Sequence, residues 1–213
     1  IITYEVLSVD KYFDYYDNKR TAYQKALEIL YRYKISKLPI NISRLCSLMK
    51  VRLGSYKIFE NLIVSLRLEN FMINDGFTAI INDSYYTFFN SDKTERRHLT
   101  ISHELGHIAM GHLETENLAC MDGVTVWNRS DKAEPSDMEM FANIFASALL
   151  APDCVLYDTN INTQKKLMEV TGLDNEESEK KLIHLKSFNH NHSITFLEKA
   201  VYYNFRDFIQ SFK

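Results

Sequence analysis

Arg97-His98-Leu99-Thr100-Ile101-Ser102-His103-Glu104-Leu105-Gly106-His107-Ile108-Ala109-Met110 has few helix breakers and apolar residues at helical spacing, so the run predicts a helix. On it His103 and His107 stand about 40° apart, one turn above the other, so both imidazoles can reach one tetrahedral metal ion. Glu104 is rotated about 100° from His103, within reach of a water at that ion but badly placed to ligate it. Ile101, Leu105, Ile108 and His112 fall on the opposite side, the expected buried back of the helix. The bare H-E-x-x-H string is only moderately specific, since a buried, hydrogen-bonded histidine pair satisfies the same spacing.

A third ligand is therefore the deciding question. A second helix is expected from Ser136 to Leu150, ending before Ala151-Pro152. Glu139, Asn143, Ala146 and Leu150 share one of its faces. Glu139 can complete a His-His-Glu set with one position open to water. Asn143, one turn on, can hydrogen-bond the second nitrogen of His103. Small Ala142 and Ala146 allow close approach to the first helix. Three alternatives stay open: Ser136 to Glu139 also reads as a capping box, and Glu134 and Asp137 are nearby carboxylates. His112 is set aside because a continuous helix would point it about 180° from His103. An extended zinc pattern with a third histidine fails, since Met110 and Leu113 occupy the required Gly and His positions. A Glu-type zincin site, with zinc as the expected cofactor, is the best geometric solution.

The whole chain of 213 residues is 46% hydrophobic with a formal net charge of -3, enough for a sizeable core and without the basic footprint of a nucleic-acid binder. No run approaches the roughly 18 consecutive apolar residues of a membrane span, and residues 1–5 do not open a signal peptide. Cys46, Cys120 and Cys154 are odd in number and widely spaced, which argues for reduced thiols and a cytoplasmic setting. Cys46 is expected in the core and Cys120 in a loop.

Outward from the motif, residues 1–19 read as a short helix or a tail, and Thr21 as the N-cap of a helix to Lys34. Asn41 opens a short helix through Met49, and Val51-Arg52-Leu53 reads as a strand. Phe59 to Leu66 has helical spacing. Phe77 to Ile81 and Tyr85 to Phe89 flank Asn82-Asp83-Ser84 as a β-hairpin. That hairpin either forms the sheet edge along which a peptide is laid or completes the core sheet. Residues 114 to 135 read as an irregular loop bordering the cleft. Beyond Gln164 a helix, a turn at Gly172 and a helix from Asn175 are expected, with His190 and His192 in a solvated turn. A last helix carries Phe196, Leu197, Val201, Phe205, Phe208 and Ile209 on one apolar side. Tyr85, Tyr86 and His98 are oxyanion-donor candidates by chain position. The fold expected is α+β, a small sheet with a hairpin packed on the motif helix. Residues 1–154 form its core domain, with 1–20 as an extension, and 155–213 a helical subdomain.

Arg96 to His107 followed by Gly111-His112 resembles the ImmA/IrrE metallopeptidase-like proteins, whose pattern is roughly R-R-F-T-x-A-H-E-L-G-H with a short tail ending in histidine. Glu139 to Pro152 is similar to their E-x-E-A-N-x-F-A-x-x-L-L-M-P, and Tyr33 to Asn41 to their entry segment. The likeness covers about residues 22 to 187. Phe141 stands where that pattern has its second acid and Ala151 where it has Met, so Glu139 is the acid carried over as ligand. His98 and Ser102 replace the usual Phe and Ala. The resemblance implies a cytosolic bacterial zinc endopeptidase that cleaves or antagonises a helix-turn-helix repressor, with Glu104 as its general base. About twenty residues precede the first family helix, which implies a repressor that is a separate partner. It also implies a helix-turn-helix-like C-terminal part, whose Glu176, Glu177 and Glu179 would repel phosphate. The alternative is a non-catalytic zinc-containing anti-repressor or toxin–antitoxin component acting by docking.

Overall fold

The computed structural model describes residues 9–114, 118–121, 124–127, 137–187 and 194–212. The fold is α+β. Helix α1 (Val9–Arg32) leads to α2 (Ile42–Leu48), strand β1 (Arg52–Ser55) and the short α3 (Glu60–Ser65). The hairpin β2 (Gly76–Ile81) and β3 (Ser84–Phe89) precedes the motif helix α4 (Arg97–Ala109). Strands β4 (Leu118–Met121) and β5 (Val124–Trp127) come before α5 (Asp137–Leu150) and α6 (Asp153–Leu156). The chain closes with α7 (Gln164–Thr171), α8 (Asn175–Ser187), α9 (Phe196–Asn204) and α10 (Arg206–Gln210).

Local chemistry sets most boundaries. The Asn41 side chain accepts from the Arg44 amide at 3.0 Å and starts α2. Thr195 and Glu198 close a capping box on α9. Asn82 and Asp83 take φ of 47° and 57°, the paired left-handed turn whose twist matches a two-residue hairpin. Two expectations change here. Thr21 lies inside α1 rather than at its start, because the helical pattern is already running from Val9. The terminal apolar run breaks at Phe205 into two helices; Val201, Phe205 and Ile209 enter the core while Phe196 remains 84% exposed.

The five strands run in the order β1-β3-β2-β5-β4, with β1 parallel to β3 and the rest antiparallel. The hairpin is thus not an outer strand of the sheet but completes its core, although β5 covers only part of β2. Nor is residues 114 to 135 all irregular, since β4 and β5 form within it and Cys120 sits in β4. The β5 pairing covers only Ala79, Ile80 and Ile81 of β2. Asn90 donates to Asp75 across the hairpin, so by alternation the amide and carbonyl of Gly76 and Thr78 point away from β3. Among the described residues no strand pairs with that half of β2.

One sheet face carries Phe77, Ala79, Ile81 and Phe88 against Tyr56, Ile63 and Leu68. The other face packs on α4, and α5 lies beneath it with α1 beyond, in a core that includes Leu27, Leu30, Leu45, Cys46, Leu105, Phe145 and Leu149. Cys46 is fully buried there, as its spacing suggested, and burial pushes its thiol up to about 12. Residues 137–159 are long and apolar enough for a membrane span by composition, but 67% of their most apolar window is buried inside the protein. Lys181 of α8 and Asp153 of α6 form an ion pair at 2.8 Å, each under a tenth exposed, which ties the C-terminal helices to the core. Burial raises the Asp153 carboxyl, but His184 and Lys181 outweigh it and hold the group below its ordinary value.

The contact that positions the site is α4 on α5. A Cβ at Gly106 would lie 3.0 Å from Ala142 Cα and 3.1 Å from both Ala142 O and Phe145 Cδ1. Gly106→Ala therefore sets about 1 kcal/mol of helix propensity against overpacking worth about 1–3 kcal/mol, mostly on unyielding backbone. The expected net is a loss of up to about 2 kcal/mol, read as a lower urea midpoint with the slope unchanged. An unchanged midpoint would show that the α4–α5 contact yields to a methyl group at little cost.

Candidate metal centre

The glycine contact brings Glu139 over the histidine pair. His103 Nε2 and His107 Nε2 are 3.0 Å apart, His103 Nε2 is 3.1 Å from Glu139 Oε2, and His107 Nε2 is 3.5 Å from Glu139 Oε1. An ion with ligand bonds near 2.0–2.1 Å in tetrahedral geometry separates its ligands by about 3.3 Å, and these three spacings bracket that value. His103, His107 and Glu139 are the group among the described residues that could hold a metal. The donor set, two imidazoles and a carboxylate, suits zinc. Three atoms of this kind turned toward one point fit an ion between them.

Tautomers are set from outside the triangle. His103 Nδ1 donates to Asn143 Oδ1 at 2.8 Å, leaving its Nε2 lone pair facing the other two ligands. His107 Nδ1 lies 2.9 Å from His112 Nδ1. His112 is 5% exposed, and burial lowers its imidazole to about 4, so at neutral pH it is uncharged and can accept that proton. Here the structure corrects the helical-wheel reading. The helix ends at Ala109, Gly111 takes φ of 71°, and the turn returns His112 to the ligand instead of carrying it to the back face. The glycine before His112 was the available signal.

Glu104 is 3% exposed and lines a cleft of about 370 Å³ together with His103, Glu139, Asn143, Thr100, Leu99, Arg96 and the segment Ile73 to Gly76. Its Cγ would be 3.5 Å from a Cβ at Gly76, which places it directly below the start of β2. Asp137 sits exposed in the first turn of α5 and takes no part in the ligand group. Glu134, Ser136 with its capping box, the Cys120 side chain, His190 and His192 lie outside the described residues. None of the three oxyanion candidates lines the cleft. The Tyr85 hydroxyl donates to Glu114 at 3.4 Å, the Tyr86 hydroxyl accepts from Arg52 at 2.6 Å, and His98 packs beside Gly172.

A peptidase family model, described as the IrrE N-terminal-like domain, matches residues 75–182. That span runs from the start of β2 into α8 and contains the three candidate ligands, Glu104, Asn143 and His112. No curated protein matches the chain.

Proposed function

Because the chain belongs to the IrrE N-terminal-like peptidase family, we propose that it is a zinc-dependent endopeptidase of the bacterial cytoplasm that cuts a helix-turn-helix repressor or a similar partner protein. One observation carries the reading: His103 and Glu139, convergent with buried His107, line an open cleft together with a buried Glu104 that stands outside the ligand group. A site serving only structure has no use for that fourth residue. Zinc, when bound, would acidify a water and polarise a carbonyl.

The remaining steps belong to the protein. Glu104 accepts a proton from the attacking water and delivers it to the leaving amine nitrogen. Asn143 and His112 hold the two imidazoles in the tautomers that leave Nε2 free. The outward amide and carbonyl of Gly76 offer an extended peptide two backbone hydrogen bonds beside Glu104. The repressor as substrate class comes from the family likeness.

The test is to incubate the zinc-loaded protein with helix-turn-helix repressors of its host and weigh the products by intact mass spectrometry. Cleavage at one site, blocked by a chelator and restored by zinc, is the expected result. A repressor that leaves its DNA with its chain uncut would replace proteolysis with docking.

A further inference from the structure

The cleft has a charged wall that the hydrolytic steps do not use. Arg96 stands at the N-terminus of α4, 50% exposed, and lines the cleft with Thr100 and His103 along the same face of the helix. Its Nε donates to Asp174 Oδ2 at 3.0 Å, a carboxylate only 10% exposed at the start of α8. Asp174 is itself held, because its Oδ1 accepts from the Glu177 amide at 2.9 Å. One edge of the guanidinium is therefore pinned from a distant part of the chain, while the residue itself lines the cleft.

Other charges along this wall are already occupied. Asp75 is paired with Lys93, and Glu104 and Glu139 face the metal centre. Exposed Glu176 lies near enough to feel the Arg96 charge but is hydrogen-bonded to Lys180. Among the described residues that line the cleft, Arg96 is the one that carries a guanidinium or ammonium group.

Resting on the peptidase reading, we propose that Arg96, pinned by Asp174, is a specificity subsite that selects peptides carrying a carboxylate side chain near the scissile bond. Arg96 and His103 are seven residues apart, about 10 Å along the helix. An extended peptide advances about 3.3 Å per residue, which puts the acidic residue roughly three positions from the bond that is cut. Exposed Ile73, 89% accessible, also lines the cleft and adds an apolar contact for an intervening side chain.

Short peptides bearing a hydroxamate, which anchors on zinc, test this without needing the natural substrate. Pairs differ only in Glu or Gln three residues from the hydroxamate, carried at either end, and calorimetry on the zinc-loaded protein reads their affinity. The wild type is expected to favour the Glu peptide about tenfold, the scale of one charge-assisted hydrogen-bond pair. Arg96→Gln should abolish the preference while leaving zinc content unchanged. Asp174→Asn, which keeps a capping oxygen on α8, should reduce it. Equal binding of Glu and Gln peptides by the wild type, or a preference that survives Arg96→Gln, overturns the subsite and leaves the metal centre standing. Failure of every hydroxamate to bind overturns the zinc reading, and the subsite with it.

Discussion

Replacing Glu139 or His107 with alanine is expected to drop zinc from near one ion per chain to background, measured by elemental analysis after dialysis. Each substitution removes one of the three candidate ligands found among the described residues, and two remaining donors do not hold the ion against water. The outer partners grade the effect. Asn143→Ala and His112→Ala leave all three ligands in place but free the imidazole that each one orients. Affinity should then fall about 10–100-fold, so these proteins load at high zinc and lose it to a competing chelator. His112→Ala is the more telling of the two, since a continuous helix would have made that residue irrelevant. Full zinc retention in Glu139→Ala would move the third ligand to a carboxylate outside the described residues, with Glu134 first in line. Retention of wild-type affinity in His112→Ala would reduce the 2.9 Å contact to simple packing.

Glu104→Gln is expected to keep both fold and zinc and to lower cleavage by about 10³-fold, within the range seen when a positioned general base is removed. The glutamine fills the same space beneath Gly76, so neither the packing nor the ligand triangle is disturbed. What disappears is a group able to take a proton from water and return it to the amine. The two variants separate the roles of neighbouring residues on one helix. Loss at His107 costs metal and activity together, whereas loss at Glu104 costs activity alone. A Glu104→Gln protein that still cuts at the wild-type rate would remove the general-base assignment, and one that loses its zinc would make Glu104 a ligand.

Much of this centre is legible in the chain itself because its signals are local. A helix of 3.6 residues per turn stacks His103 on His107 and turns Glu104 aside, whatever surrounds it. The same periodicity puts Glu139 and Asn143 on one face of α5, and both reach the metal centre. Asn82-Asp83 between two alternating strands declares the β2–β3 turn, since those residue types tolerate the left-handed backbone it requires. Where the local pattern misled, a local exception was responsible. A wheel drawn through Gly111 carries His112 to the wrong side, because periodicity holds only while the helix does.

Tertiary structure decided the rest, through contacts between residues far apart in sequence. Periodicity leaves Glu139 one carboxylate among several near the motif helix, and it is the contact of Gly106 with Ala142 that sets α4 against α5 and brings Glu139 to the histidine pair. Whether the hairpin was edge or interior depended on β1 and on β5, which arrive from opposite directions along the chain. The direction of Arg96 depends on Asp174, 78 residues later, a pairing that no helical or strand period encodes. The chain alone determined which side chains stand on which face of each element. Only packing, where a missing Cβ or a buried carboxylate selects one arrangement of those faces, determined which of them meet.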